Sequence, residues 1–171
     1  MRDQGPSGGR IRASGHPFPA ALVRGILRAA GAMTEADVET IRAGLAALNR
    51  RDVEGMLATL QPDCELVPLR AVLEGIVYRG HEGLKQWIAD MEEDWEDLRI
   101  EPDEVRSLDG GRVLVLARFH ARGRSSGVKL DQPAAWICEL LDGKVARIRF
   151  FADADAALGA AARNLPAAPS P

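Results

Sequence analysis

Cysteine and histidine are scarce in this sequence, and their scarcity limits the kinds of site that the chain can build. It has two cysteines, Cys64 and Cys138, and three histidines. Both cysteines lie in apolar, strand-like settings without CxxC spacing, so we expect buried free thiols and a reducing, cytoplasmic compartment. The histidines, His16, His81 and His120, are too few for a conventional multi-histidine metal site. We therefore expect no metal site. As a separate expectation, no organic cofactor is assigned to the chain.

Long apolar runs and an excess of positive charge are also missing. No apolar run approaches the roughly 20 residues that a membrane-spanning helix needs, and the net charge of −3 provides no basic surface for nucleic acid. We expect no membrane partner and no nucleic-acid partner. What is present, 171 residues with 46% hydrophobic content, predicts one soluble domain that buries roughly two thirds of its unfolded surface.

Both ends of the chain have a composition typical of disorder. Residues 1–32 contain five arginines and one aspartate, a balance of +4, among many small residues, so we expect a disordered N-terminal extension. Arg24 and Arg28 interrupt its apolar piece, which argues against a secretory signal. We expect Met33 to be the natural start, residues 33–163 to form the domain, and residues 164–171 to be a disordered tail.

Helical periodicity appears in three segments before the strands begin. The first runs from Thr34 to about Asn49, and Asp52 caps a second, shorter helix that Pro62 stops. From Glu82 the apolar residues recur at helical spacing and include two tryptophans: Leu84, Trp87, Ile88, Met91 and Trp95. A last helical piece is predicted from Asp153 to about Arg163.

The rest of the chain reads as strands. Short strands are predicted at 64–69 and 76–78, followed by longer ones at 98–108 and 112–122 and a hairpin at 132–151. Arms of about eleven residues would be roughly 36 Å long, so the sheet must twist and curl. The predicted fold class is therefore α+β, a curved antiparallel sheet with the helices against one face.

The last hairpin gives the most specific local prediction. Asp142-Gly143 is typical of a type I′ turn, which pairs Leu140 with Val145 and Glu139 with Ala146. Alternation then places one set of side chains in the core: Ala135, Ile137, Glu139, Ala146, Ile148 and Phe150. Glu139 is the polar exception in that set. On the opposite face Trp136 would lie across from Arg149, close enough for a cation–π contact. Such a contact suits a subunit interface or a solvated surface.

Four stretches together carry a family resemblance. AALNRRDVEGM at 46–56, DCELVP, YRGHEGLKQW at 78–87 and DGKVARIRFF at 142–151 resemble the SnoaL-like branch of the nuclear transport factor 2-like superfamily, over about Met33 to Ala160. The resemblance implies a cone-shaped α+β barrel whose sheet wraps around three helices. It also implies a pocket for a small-molecule ligand inside the cone and a homodimer formed through the outer face of the sheet.

The resemblance also allows a position-by-position test of known chemistries. In the steroid isomerases of the superfamily, a tyrosine on the first helix and two aspartates on strands act on the substrate. The matching positions here are Gly44, then Val67 or Pro68, then Ala134 or Ala135. All three functions are missing, which disfavours that isomerase chemistry. The Asp-Arg-Asp set of the limonene epoxide hydrolase relatives cannot be placed on this sequence.

Two other candidates for acid or base chemistry come from the strands. A buried carboxylate at Glu139 would suit a general acid or base, although the nearby turn could leave it in water. Arg118, His120 and Arg122 project from one strand face, where they could hold an anionic ligand with His120 as acid or base. Alternatively, that face looks outward and pairs with carboxylates of a neighbouring strand or a partner subunit.

The remaining candidates are expected to line a pocket: Tyr78, Trp87, Met91, Trp95, Arg118 and Ile137. Tyr78 could instead anchor a loop, and the tryptophans could simply pack in the core. Two functions remain open on these grounds. The first is a cofactor-independent cyclase, isomerase or hydrolase that acts on an apolar ligand. The second is a non-catalytic ligand-binding or dimerisation module with the same fold.

Overall fold

The computed structural model describes residues 35–69, 75–108 and 110–163. The predictions for the two ends, including the start at Met33, lie outside these ranges. Within them the chain forms four helices and six strands, in the order α1 (Glu35–Asn49), α2 (Val53–Ala58), β1 (Leu60–Val67), β2 (Tyr78–Arg79), α3 (Gly80–Asp94), β3 (Trp95–Leu108), β4 (Arg112–Gly123), β5 (Lys129–Leu141), β6 (Lys144–Phe151) and α4 (Ala154–Ala162).

Capping residues explain where the short helices begin. The Asp52 carboxylate accepts a hydrogen bond from the Gly55 N–H at 2.8 Å, and this starts α2. The Asp153 carboxylate does the same for Ala156 at 2.7 Å, which starts α4. Both helix starts therefore agree with the acidic residues that the sequence places there.

The sequence pattern assigns Trp95 to the wrong secondary structure. Helical spacing predicts that it continues the stripe of α3, but that prediction is wrong: α3 ends at Asp94, and Trp95 has extended backbone angles of φ −126° and ψ 137°. Its ring packs edge-to-face against Phe119 on β4, with the ring centroids 6.4 Å apart. A contact with a distant strand therefore decides the backbone of this residue, and local periodicity cannot detect it.

The six strands form one curved, unclosed sheet in the order β2-β1-β6-β5-β4-β3. Neighbouring strands are antiparallel except β1 and β6, which run parallel. Helices α1 to α3 pack on one side, which we call the concave face, and α4 packs on the other, the convex face. The predicted α+β architecture, with a curved sheet around three helices, is confirmed.

Each face of the sheet has its own hydrophobic core. The larger core joins α1, α2 and α3 to the concave face and includes Leu84, Val115 and Trp136. The smaller core lies between α4 and the convex face and includes Leu116, Ile137 and Leu158. The middle of β4 is therefore buried on both sides, and residues 113–117 are all 0% exposed.

The β5–β6 hairpin has the predicted turn but a different register beyond it. Asp142 and Gly143 both have positive φ, at 50° and 74°, as a type I′ turn requires. Leu140 pairs with Val145 as predicted, but Glu139 pairs with Arg147, so Ala146 is an extra residue in a β-bulge.

The bulge corrects the predicted faces of β5. Trp136 and Cys138 belong to the concave core, whereas Ala135 and Ile137 belong to the convex one. The prediction that Ile137 and Glu139 face the helices of the cone was therefore wrong. The physical reason is that Val145 and Ile148 both need burial on the concave side, and an odd spacing allows this only with an extra residue between them.

Candidate functional site

A cavity lies between α1 and the concave face of the sheet. The cavity has a volume of about 60 Å³ and opens to solvent. The lining side chains come from α1, α2, α3 and all strands except β2 and β4, and they are almost all apolar: Ile41, Gly44, Leu45, Leu48, Met56, Thr59, Leu60, Leu66, Trp87, Ile100, Trp136, Cys138, Val145, Ile148 and Phe150.

Three aromatic rings form one wall of this cavity. The ring of Phe150 lies 5.4 Å from that of Trp136 and 6.2 Å from that of Trp87, measured between centroids. Both distances fall within the range of attractive aromatic contacts. The three rings come from β6, β5 and α3, so the register of the hairpin and the packing of α3 together build this wall.

Polar atoms are few in the cavity. The Thr59 hydroxyl donates a hydrogen bond to the Met56 carbonyl at 2.7 Å. The Cys138 thiol is another polar group in the lining, and burial raises its pKa to about 12 against an opposing hydrogen bond with the Trp136 side chain. At neutral pH the thiol is therefore protonated and is a poor nucleophile. None of the described lining residues carries a formal charge.

A smaller crevice adjoins the cavity and shares Leu48, Met56 and Trp87 with it. Met91 lines this crevice rather than the cavity. Arg51 and Glu92 stand at the crevice and form an ion pair at 2.5 Å, with about half of each side chain exposed. Pairs this exposed contribute little to stability, so they do not hold the two walls rigidly together.

Tyr78 is an anchor for the segment that leads into α3. Its side chain is buried, and its hydroxyl donates a hydrogen bond to the Asp90 carboxylate at 2.6 Å. The other oxygen of Asp90 accepts from Gln86 at 2.7 Å. Tyr78 does not line the cavity, and neither does Trp95. Of the six residues that the sequence suggests for the pocket, Trp87 alone lies in the cavity lining.

Glu139 lies on the convex face, on the opposite side of the sheet from the cavity. It pairs across the sheet with Arg112 on β4 and with Arg147 on β6. Arg147 in turn donates to the Glu65 carboxylate at 2.7 Å, and Glu65 also meets Arg79 at 3.2 Å. Residues of alternating charge thus cross five strands in the order Arg79, Glu65, Arg147, Glu139, Arg112. Ion pairs join the first three residues of this row, Arg79, Glu65 and Arg147, and Glu139 continues it by its register between Arg147 and Arg112.

Arg118, His120 and Arg122 also lie on the convex face, on the part of β4 that follows Leu114 and Leu116, which pack against α4. Arg118 donates to the Asp131 carboxylate at 2.9 Å, and Arg122 meets Glu96 at 2.8 Å. The His120 ring nitrogens lie 3.6 Å from a Glu101 oxygen and 3.7 Å from an Asp131 oxygen. The arrangement is that of outward-facing bases paired with strand carboxylates. His120 and Glu139 are therefore remote from the cavity and from its aromatic wall.

Several cavity residues escape sequence reasoning. Trp136 is assigned by simple alternation to the outer surface, yet it is 4% exposed and lines the cavity. The detectable signal is the odd spacing of Val145 and Ile148, which points to a bulge. Thr59 belongs to no motif, and Gly44 is noted in the sequence only as the position where the isomerase tyrosine is missing. Both are identified by their position in the structure.

The described residues contain no group of three or more histidine, cysteine, aspartate or glutamate side chains arranged to hold a metal ion. Nor does any helix in the same part of the chain have the length and apolar character to cross a membrane.

Comparison with known families gives one match, and it covers more than half of the chain. The family described as the SnoaL-like domain matches residues 41–148. That range runs from the middle of α1 to the middle of β6 and includes most of the cavity lining. None of the curated protein sequences compared with the chain matches it.

Several solved structures share the fold. TerC, co-crystallised with polyporic acid, is 25% identical with a TM-score of 0.63, over 73% of this chain and 99% of its own. A nuclear transport factor 2-like protein from Burkholderia xenovorans is 27% identical with a TM-score of 0.60, over 77% and 98%. A proposed polyketide cyclase from Xanthomonas campestris pv. campestris is 18% identical with a TM-score of 0.59, over 71% and 93%.

Proposed function

This chain belongs to the SnoaL-like domain family, and on that premise we propose that its cavity binds a neutral, largely aromatic small molecule. The observation that carries the proposal is the aromatic wall of Trp87, Trp136 and Phe150 in a lining without formal charge. Apolar clefts with a few polar groups are the usual form of small-molecule sites. An ionised ligand would lose its hydration there without gaining a partner.

We propose binding without acid–base catalysis by the two residues that the sequence suggested for it. A general acid or base must come within hydrogen-bond reach of the substrate. Glu139 and His120 lie on the convex face, so a molecule in the cavity cannot reach either of them. The titratable side chain in the lining is Cys138, whose raised pKa keeps it protonated. These positions favour the binding module over a cyclase, isomerase or hydrolase.

The likeness to solved structures supports a small-molecule role in general terms. TerC was crystallised with polyporic acid, and the Xanthomonas protein is a proposed polyketide cyclase. Neither identity transfers a ligand to this chain. The lining of the cavity favours a molecule that has aromatic surface and no charge.

Two adjacent phenylalanines allow a matched test of the proposal. Phe150 lines the cavity, whereas Phe151 packs in the convex core with α4. We expect naphthalene to quench tryptophan fluorescence and Phe150→Leu to weaken its binding by about tenfold, the scale of one lost aromatic contact. Phe151→Leu should leave the affinity unchanged. Equal affinities in all three proteins, or no naphthalene binding at all, would contradict the proposal.

We also propose that two copies associate through the part of the convex face that α4 leaves uncovered. Arg118, His120, Asp131 and Glu101 present bases and carboxylates side by side there, and such a surface is complementary to a rotated copy of itself. Sedimentation velocity should show a dimer that Arg118→Glu converts to a monomer. Arg51→Glu, on the other side of the molecule, should leave the dimer intact. A wild-type monomer at high protein concentration would refute this interface.

A reducing, cytoplasmic location is a further proposal. Cys64 and Cys138 are buried and unpaired, as is usual for proteins kept under reducing conditions. Immunofluorescence of the protein in its native cells should place it in the cytoplasm, and recovery from an oxidising compartment would contradict this.

A further inference from the structure

Among the described residues that line the cavity, Thr59 alone carries a hydroxyl group, and its geometry restricts the ligand groups that can bind to it. We propose that the ligand is a neutral aromatic molecule with a hydroxyl group, and that this group donates a hydrogen bond to Thr59 Oγ1. The inference rests on the proposed function, since it names a chemical feature of the molecule in the same cavity. It goes beyond that proposal by assigning a polar contact to a particular pair of residues, Thr59 and Gly44.

Thr59 can accept a hydrogen bond but has no free proton to donate. Its hydroxyl proton is used in the bond to the Met56 carbonyl at 2.7 Å, while the oxygen retains acceptor capacity. The residue lies between α2 and β1, where its own carbonyl accepts from the Val145 N–H at 3.0 Å. The backbone is thus tied to β6, and the oxygen has a fixed place in the cavity lining. A ligand group must therefore be a donor to be recognised there.

The absence of a side chain at Gly44 leaves room for this oxygen. A Cβ atom at position 44 would lie 2.9 Å from Thr59 Oγ1, a separation that real Cβ atoms essentially never show. Glycine within a helix is disfavoured relative to alanine, and Gly44 stands in the middle of α1. Both residues line the cavity. The two residues form an acceptor notch, in which the missing side chain of one exposes the oxygen of the other.

The cavity lining also restricts the charge that the donor group of the ligand can carry. A phenolate or a carboxylate would bring a negative charge beside an acceptor oxygen, and the described lining residues supply no cation to pair with it. An ammonium group would donate, but it would be stripped of water among apolar side chains without a carboxylate partner. A hydroxyl group satisfies the notch without these costs. The ligand class is therefore a phenol or an aromatic alcohol.

Calorimetric titration with naphthalene, 2-naphthol and 2-methoxynaphthalene tests the inference. The last two carry an oxygen at the same ring position, but in 2-methoxynaphthalene a methyl group replaces the proton that 2-naphthol can donate. We expect 2-naphthol to bind about threefold to tenfold tighter than 2-methoxynaphthalene, the range of one neutral hydrogen bond. Thr59→Val should abolish this preference while naphthalene still binds, and Thr59→Ser, which keeps the hydroxyl, should preserve it. Gly44→Ala should reduce the preference while naphthalene still binds, because its Cβ atom must displace Thr59 Oγ1.

The outcomes separate the inference from the proposed function. If naphthalene binds but neither the wild type nor Thr59→Ser prefers 2-naphthol, the acceptor notch is refuted and the aromatic cavity stands. A preference that survives in Thr59→Val, or that Gly44→Ala leaves at full size, also refutes the notch. If none of the three compounds binds, both the inference and the proposed function fail. Should Thr59→Val not fold, Thr59→Ser and Gly44→Ala decide the matter.

Discussion

Asn49 ties the end of α1 to the edge strand of the sheet. Its side-chain amide donates to the Ile100 carbonyl at 2.7 Å, and its side-chain oxygen accepts from the Ile100 N–H at 2.9 Å. The amide thus pairs with β3 as a neighbouring strand would, because β3 is the last strand of the sheet. Ile100 and Leu48 both line the cavity, so these two bonds hold together two elements that line it, α1 and β3.

Replacement of this side chain should be costly for a residue outside the core. Asn49→Ala leaves the N–H and the carbonyl of Ile100, a buried residue, without partners. We expect the free energy of unfolding to fall by about 1–3 kcal/mol, measured by urea denaturation. Asn49→Asp retains the acceptor and should lose less. A change of less than about 0.5 kcal/mol in Asn49→Ala, the range of ordinary surface substitutions, would show that the bonds contribute nothing.

Burial of the two thiols gives a prediction for alkaline pH. Desolvation raises the pKa of Cys64 to about 11 and that of Cys138 to about 12, above the ordinary value of 9.0. The unfolded chain therefore loses these protons first as the pH rises above 9, and the free energy of unfolding falls with increasing pH. In Cys138→Ala the free energy of unfolding should fall less steeply with pH than in the wild type. Urea denaturation from pH 8 up to the highest pH at which the protein stays folded measures this. Parallel curves would contradict the burial of this thiol.

At the scale of the secondary-structure element, α4 covers part of the convex face and contributes no residue to the cavity lining. Its inward residues are mostly alanines, so the helix lies close to the sheet, and Leu158 supplies its largest buried side chain, at 2% exposure. Arg112 on β4 donates to the Ala161 carbonyl at 3.4 Å, near the end of the helix. The cavity lies on the other side of the sheet. Stability and ligand binding should therefore respond differently to changes in α4.

Leu158→Ala tests this separation. Loss of a buried leucine should lower the free energy of unfolding by about 2–5 kcal/mol, while the affinity for naphthalene at a temperature where the protein stays folded should not change. Leu141→Ala, at a position that is 59% exposed, is the control and should change stability by less than about 0.5 kcal/mol. A parallel loss of naphthalene affinity in Leu158→Ala would mean that the two faces are coupled.

The elements also show how far local sequence patterns reach. Helical spacing and capping residues are enough to predict α1, α2 and α4, and Asp142-Gly143 is enough to predict the last turn. The faces of β5 are not predictable by alternation, because one bulged residue, Ala146, shifts every later pair of the hairpin by one position. Glu139 and Ile137 were placed on the wrong face for this reason alone.

At the scale of the whole molecule, one curved sheet separates two environments. The concave face is apolar and carries the cavity, while the convex face carries α4 and rows of paired charges. The family and the α+β architecture could be predicted from the sequence, since four short motifs occur in the right order. The site could not, because its aromatic wall joins β5, β6 and α3, and only the packed structure brings them together.

A crystal structure of the protein grown with 2-bromonaphthalene tests the central claim most directly. The bromine atom can be located by anomalous scattering, whatever the quality of the density for the rings. We predict a bromine peak in the cavity, with the naphthalene rings against Trp87, Trp136 and Phe150. A peak on the convex face beside His120 or Glu139, or a cavity without bromine at saturating ligand, would contradict the account.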